Sequence, residues 1–471
     1  MTITSFLFLF IFLPISIAIY YISPSKIKDA TLLILSFGFY GLASQENLKI
    51  FVIATFLNVI LGRSLYKIGN PKIKKALFIT GIALNVIFLF YYKYMDFAII
   101  NINKLTSAGL PLKNLLLPLG ISFFTFKAIS YLADIYTGKA QLSPNWLHDA
   151  VYLSFFAQVQ SGPLTRYNDS KAISAKHIDL NNLGNGTYRF LIGFNKKILI
   201  ANMLAGISAE AFGASPASMS SAYAWLGSVS FSLQLFFDFA GYSDMAIGLS
   251  QIFGYSCKEN FNYPYMTESV TRFWRRWHIS LSEWFRDYIY IPLGGSMSSS
   301  KFRVYFNLFV VWALTGIWHG AAWTFVVWGL GYFLIIAFER LTNLPKRLKF
   351  FPFKILYRIL TLAFINFQWV FFNSASVTYG VSYIKRMIIP CSNSLSDTRF
   401  IFLLRNYAYF LVVAIVLCFP IIPYLDKKTS KNKIVGCIYE ILKDVIILIG
   451  FVWSVSMIAS GQNNPFAYAN F

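Results

Sequence analysis

Residues 304–338 read VYFNLFVVWALTGIWHGAAWTFVVWGLGYFLIIAF, and this stretch decides the fold class. As one helix these 35 residues would run about 52 Å at ~1.5 Å per residue. That is too long for one straight crossing of a hydrocarbon core ~30 Å thick, and short for two full crossings with a turn. Gly316 and Gly320 bracket the middle and predict a break there. Two shortened helices would then meet at Gly-Ile-Trp-His-Gly, with His319 at mid-membrane depth. Ionisable groups at that depth are costly and usually line a cavity or a reaction path. An imidazole passes protons near neutral pH, so His319 is the leading candidate for a general base. The competing reading is a hydrogen-bonded histidine that supports a kink.

Apolar blocks of similar kind recur at 3–23, 30–43, 49–66, 76–100, 114–136, 147–165, 188–212, 222–254, 355–374, 401–425 and 434–459. Hydrophobic residues make up 57% of the chain and charged residues 13%, against about 25% charged in soluble domains. Disorder, coiled coil and a small disulfide scaffold are excluded. The expectation is an all-α polytopic integral membrane protein with roughly 10–13 transmembrane or re-entrant helices. The first block, Ile3 to Ser23, has no basic n-region and no A-x-A site, so it reads as a retained span. Neither a soluble domain nor a repeat is evident. Residues 1–471 therefore read as one membrane-embedded domain, with N-terminal spans over 1–110, a motif-bearing core over 111–340 and C-terminal spans over 341–471.

Lys plus Arg is 41 and Asp plus Glu is 19, a formal net charge of +22. The basic residues sit in short loops between apolar blocks, such as Lys72/Lys74/Lys75, Lys346/Arg347/Lys349 and Lys427/Lys428/Lys431/Lys433. This is the positive-inside pattern, and it points to anionic lipid head groups and away from nucleic acid. Cys257, Cys391, Cys418 and Cys437 have no metal-ligand or CxxC spacing and read as free thiols; no metal site is expected.

Two regions break the plain-span pattern. The 147–165 block carries Gln158, Gln160, Gly162 and Pro163, which predicts a buried re-entrant segment, because irregular backbone survives in a bilayer only against protein or a wet cavity. The second, residues 267–295, reads TESVTRFWRRWHISLSEWFRDYIYIPLGG. Phe273, Trp277, Leu281, Trp284 and Tyr288 succeed one another at spacings of 4, 4, 3 and 4, opposite Arg275, Arg276, Glu283 and Arg286. One reading is an interfacial helix dipping into head groups. Another takes Ser280-x-x-Glu283 as a capping box, with a break near Ile279 and His278 at the joint. Both stay open. The arginines form either a lipid-facing basic surface or a cytoplasmic mouth for a phosphorylated donor. Asp238 and Asp244, with Gly241 between them, are buried by composition. Lys127 and Asp134, seven apart, could share a helix face. All four are expected to be paired polar groups that hold helices together. His148 and His177 are expected to be structural. The chain holds no G-x-S-x-G, Walker, G-x-G-x-x-G or H-E-x-x-H motif.

LPLGISFFTFKAISYLADIY, FFDFAGYSDMAIGL, RFWRRWHISLSEWFRDYIYIPLGG, GIWHGAAW and the terminal NPFAYANF resemble the membrane-bound O-acyltransferases. The likeness is strongest to the bacterial branch that O-acetylates alginate and cell-wall polysaccharides; D-alanyl transfer to teichoic acids is a more distant relation. The matching motifs run from about residue 111 to the C-terminus, and the first 100 residues match only as apolar spans. The resemblance implies a ring of helices around a central funnel pinched in the middle. It implies His319 as the catalytic histidine at the constriction and His278 as the second functional histidine, where lipid-modifying relatives often carry Asn.

The resemblance further implies an O-acetyltransferase in the bacterial cytoplasmic (inner) membrane. It would pass acetyl from a cytoplasmic thioester, acetyl-CoA, toward an extracytoplasmic polysaccharide hydroxyl. No cofactor would be bound permanently. Arg272, Arg275, Arg276 and Arg286, with Trp318, are the candidate donor-binding residues, and Lys301 and Arg303 could add phosphate contacts. His319 would remove the acceptor's proton or take the acyl group, and His278 would orient the donor or assist proton transfer. Asp238, Asp244 and Gln158 are candidate cavity-lining polar groups. A periplasmic or secreted acyltransferase partner would complete the transfer. Competing readings are an acyltransferase for a lipid or protein acceptor, and a transporter or flippase of acyl or glycan intermediates. The latter should show internal symmetry, and none is evident.

Overall fold

Apolar runs of this length must satisfy their own backbone hydrogen bonds, and a helix does so within one segment. In the computed structural model every regular element among the described residues is helical. The structure describes residues 1–172, 179–297, 300–390 and 395–461. His177, Cys391 and the terminal NPFAYANF lie outside them.

Seven helices among the described residues are long and apolar enough to cross a bilayer: Gln45–Lys67, Pro71–Thr106, Leu180–Gly213, Trp323–Thr342, Phe351–Asn373, Thr398–Leu417 and Lys433–Ala459. The remaining segments of the expected ten to thirteen fall on shorter, broken or less apolar elements. The spans keep large apolar side chains exposed, as acyl chains as solvent allow; Ile438, Ile441, Ile446, Ile449 and Val452 do so on the last helix. Polar residues start the helices. Asn70 caps one through the backbone amides of Lys72 and Ile73, Asp397 another through Phe400, and Asn432 a third through Ile434 and Val435.

The chain divides into two units. The first comprises Met1–Phe190 with Ser243–Glu259. In it the 147–165 block forms two short helices, Trp146–Ser154 and Phe156–Val159, parted at Phe155 (φ −51°, ψ 118°). Nine residues make about 14 Å of helix, too short to cross. The segment from Asp149 to Leu164 is buried throughout, as a re-entrant piece should be. Gly120, at φ 68°, lets it seat: a Cβ there would lie 1.9 Å from the Val159 carbonyl oxygen. Gln158 is a junction. Its Oε1 accepts from Lys127 Nζ at 3.2 Å, and its Nε2 donates to Ser250 Oγ at 3.1 Å and to Cys257 Sγ at 2.9 Å.

Lys127 and Asp134 share one face of the helix Ile121–Tyr136, as their spacing predicts, but each bonds to another segment and not to the other. Lys127 turns to Gln158 and the Tyr152 ring, while Asp134 Oδ2 accepts from the Asn168 amide at 3.1 Å. Residues seven apart leave a gap of two turns, and nearer partners on other segments fill it. Asp244 accepts from Arg189 Nε at 2.8 Å in this same unit.

The second unit comprises Leu191–Tyr242 and the described residues from Asn260 onward. Helix α1 (Ser221–Ile252) contributes its first part. Then come α2 (Val270–Trp274), α3 (Ile279–Phe285), α4 (Lys301–His319), α5 (Trp323–Thr342) and α6 (Phe351–Asn373). Gly241 brings α1 against the preceding span: a Cβ there would lie 2.7 Å from the Gly193 carbonyl oxygen. One turn earlier on α1, Asp238 meets Lys197 Nζ at 2.7 Å, and Lys197 also donates to Asn202 Oδ1 at 2.9 Å. Both charged side chains are buried. Asp238 is thus half of a buried ion pair.

Candidate active site

His319 is the last residue of α4, and α5 starts at Trp323 after an extended Gly320 (φ −174°, ψ 154°). The two arms pack with their backbones in contact. A Cβ on Gly316 would lie 2.5 Å from the Phe325 carbonyl oxygen, and one on Gly329 would lie 2.5 Å from that of Trp312. This close approach lets the chain reverse in three residues. The break therefore comes just after His319, and the arms, at 19 and 20 residues, are about 28 and 30 Å long. The histidine sits at the turn of a hairpin whose arms are 19 and 20 residues long and not shortened, although of the two only α5 is among the helices long and apolar enough to cross.

His319 is 1% exposed. Its imidazole is walled by aromatic rings: Trp318 at 4.9 Å between centroids, Trp328 of α5 at 4.8 Å, and Phe372 of α6 at 5.3 Å. Trp318 also neighbours the His278 ring, at 6.3 Å. The two histidines named from sequence thus flank one indole.

His278 occupies the joint between α2 and α3, at φ 44° and ψ 54°. The left-handed region costs a non-glycine residue roughly 1–2 kcal/mol, so the surroundings must hold it there. Asn260 does much of this. Its backbone carbonyl accepts from the Ile279 amide at 3.0 Å. Its Oδ1 accepts from the Ser280 amide at 3.2 Å and the Ser280 hydroxyl at 2.8 Å, and lies 3.1 Å from His278 Nδ1. An amide oxygen only accepts, so Nδ1 carries the proton and Nε2 the lone pair. Complete burial pushes the imidazole down to about 3, and His278 is uncharged at neutral pH. It suits a hydrogen-bonding role better than a cationic one.

A second clamp acts on α2. Glu339, near the end of α5, is buried and accepts from the Val270 and Thr271 amides at 2.8 Å each, and from Tyr357 Oη at 2.7 Å. These bonds supply acceptors for first-turn amides of α2. Ser280 does not cap α3. The capping position is His278 itself, and the serine hydroxyl serves Asn260, so the capping-box reading fails while the joint it suggested is present. The interfacial-helix reading also fails. Phe273, Trp277, Leu281 and Trp284 are buried in protein, with Trp277 against Trp369 at 5.0 Å.

Of the candidate donor residues, only Trp318 reaches the histidines. Arg272 pairs with Glu268 at 2.5 Å and Arg286 with Asp287 at 2.7 Å, all four in exposed or partly exposed positions. Arg275 is exposed and Arg276 half-buried, with no carboxylate partner among the described residues. Arg303 donates to the Leu293 carbonyl at 3.2 Å, beside a shallow cavity of about 820 Å³ lined by Leu293, Gly294, Met297, Ser300, Phe302 and Phe306. His148 is half-buried near Tyr255. No group of His, Cys, Asp and Glu among the described residues could hold a metal ion. Sequence reasoning missed Asn260 and Glu339. Both act across long sequence gaps, and neither stands in a local motif.

Asn260 gives a prediction. Asn260→Ala removes the acceptor for His278 Nδ1 and for Ser280, and an orphaned buried donor costs about 1–3 kcal/mol. Turnover should fall about 10- to 100-fold, with Asn260→Asp, which keeps an acceptor, retaining more. Initial rates on equal amounts of membrane-inserted protein measure this. Equal rates for Asn260→Ala and wild type would remove Asn260 from the site.

The model of the membrane-bound O-acyltransferase family matches residues 36–381, a range that includes Asn260, His278, His319 and Glu339. The chain is 36% identical over 386 residues to the probable alginate O-acetylase AlgI of Pseudomonas aeruginosa, covering 80% of this chain and 73% of that protein. It is 32% identical over 416 residues to the peptidoglycan O-acetyltransferase of Helicobacter pylori, covering 81% of this chain and 79% of that protein. The teichoic acid D-alanyltransferase of Bacillus subtilis is 32% identical over 285 residues, covering 56% of this chain and 70% of that protein. The family match begins well before the first recognisable motif at residue 111.

Proposed function

This chain belongs to the membrane-bound O-acyltransferase family, and from that premise we propose that it moves an acetyl group from cytoplasmic acetyl-CoA toward a polysaccharide hydroxyl outside the bacterial inner membrane. The observation that carries this reading is His319: a buried imidazole at the turn of a hairpin, inside an aromatic cage shared through Trp318 with His278. Two relatives named for O-acetylation of alginate and peptidoglycan support the polysaccharide acceptor.

In this mechanism the acceptor hydroxyl loses its proton to His319 as its oxygen attacks the thioester carbon. Collapse expels the thiolate, which takes that proton, giving the acetyl ester and free CoA. Neutral His278, held with its lone pair on Nε2, orients the reactants. The phosphates of CoA do not enter hydrocarbon, so only the thioester end would reach the cage. Arg275 and Arg276, on the segment just before His278, would hold phosphate outside it. A periplasmic acyltransferase partner would deliver the acetyl group to the polymer.

The test is base-labile acetate on envelope glycans from cells carrying wild type, His319→Ala or His278→Ala. Acetate should be lost with His319→Ala and reduced with His278→Ala. Wild-type acetate in both, with each protein present in the membrane, would overturn the reading.

A further inference from the structure

Acyl transfer places negative charge on the carbonyl oxygen, and a site for it needs a donor aimed at that charge. Ring neighbours of His319 include Trp318, Trp328 and Phe372, and among these three side chains only the indoles can donate. Among the buried indoles of this unit, Trp274, Trp277 and Trp328 carry Nε1–H groups with no acceptor among the described residues. A buried donor left unsatisfied is costly and calls for an explanation. Trp328 is fully buried and stands nearly perpendicular to the His319 ring. Trp274 lies behind it at 5.6 Å, and Trp277 packs on Trp369. Of these indoles, Trp328 touches the His319 imidazole.

We propose that the Trp328 Nε1–H donates to the carbonyl oxygen of the acyl group and stabilises the oxyanion formed on it. The acceptor oxygen bonds to the carbonyl carbon, and the C=O π pair moves onto the oxygen that Trp328 faces. The acceptor's proton goes to His319. When the pair returns, the carbon–sulfur bond breaks and the thiolate leaves with that proton. Trp328 keeps its own hydrogen throughout. This inference rests on the acetyl-CoA reading above.

The experiment uses the protein carrying His319→Ala, which on the reading above should not turn over. It is titrated with acetyl-CoA and with S-ethyl-CoA, a thioether in which a methylene replaces the carbonyl. Acetyl-CoA should bind about five- to tenfold more tightly. With Trp328→Phe added, the two should bind within about twofold of each other. An unchanged preference in the double variant overturns the role of Trp328, as do equal affinities in His319→Ala alone. Failure of both ligands to bind either His319→Ala or wild type overturns the donor reading and this inference with it. In the active background Trp328→Phe should lower kcat about 10²-fold and raise KM by no more than the five- to tenfold lost in binding, whereas a packing defect would lower the melting temperature instead. Should the Phe variant not purify as a single species, Trp328→Met, also without a donor, provides the same comparison.

Discussion

His319→Ala should abolish acyl transfer to within a small residue of the wild-type rate, while the protein still reaches the membrane. General-base assistance is worth about 10²- to 10⁴-fold, and no other histidine in the hairpin can replace it. The hairpin itself should survive, because its arms close through the glycine contacts at Gly316 and Gly329. His319→Gln separates the chemical role from packing: it keeps polarity and similar bulk but cannot relay a proton, so it should be as inactive as His319→Ala. Rates per folded protein, with size-exclusion profiles of each variant, measure the effect. A His319→Gln protein with more than about a tenth of wild-type turnover would show that packing, not proton transfer, is what His319 supplies.

Asp238→Ala should cost the protein itself, not just its rate. The Lys197 ammonium would keep Asn202 but lose its carboxylate inside a spanning helix. Removing one partner of a buried ion pair costs about 3–5 kcal/mol, a large part of a typical net stability of about 5–15 kcal/mol. The expected outcome is a protein that extracts poorly and melts about 3–5 °C lower. Removing both charges, as in Lys197→Met with Asp238→Leu, should restore most of the yield, since an apolar pair can replace a buried ion pair without loss. A double variant as unstable as Asp238→Ala would mean that these side chains do more than neutralise each other.

Much of this architecture can be read along the chain, and the failures have a common physical cause. The length of 304–338 and its glycines locate the turn beside His319. Length alone misjudges the arms, because Gly316 and Gly329 meet across the hairpin and allow a three-residue reversal. The period through Phe273, Trp277, Leu281 and Trp284 correctly marks one buried face. It does not say what covers that face, and α6, through Trp369, does so in place of lipid. Ser280 and Glu283 have the spacing of a capping box. A buried amide 20 residues upstream, on Asn260, claims the serine instead. Glu339 clamps α2 from 69 residues downstream. Asp238 and Gln158 are visible as polar residues in apolar blocks, but their partners Lys197 and Lys127 emerge only from packing. Local patterns reveal the faces and breaks of helices; partners distant in sequence have to be seen.

The most direct test uses inverted membrane vesicles, in which the cytoplasmic face looks outward. Acetyl-CoA labelled in its acetyl group is supplied only to that face, and alkali-labile label is followed on material enclosed in the lumen. Wild-type vesicles should accumulate enclosed label and release stoichiometric CoA thiol outside, and His319→Ala vesicles should do neither. Label crossing into His319→Ala vesicles at the wild-type rate would contradict the account.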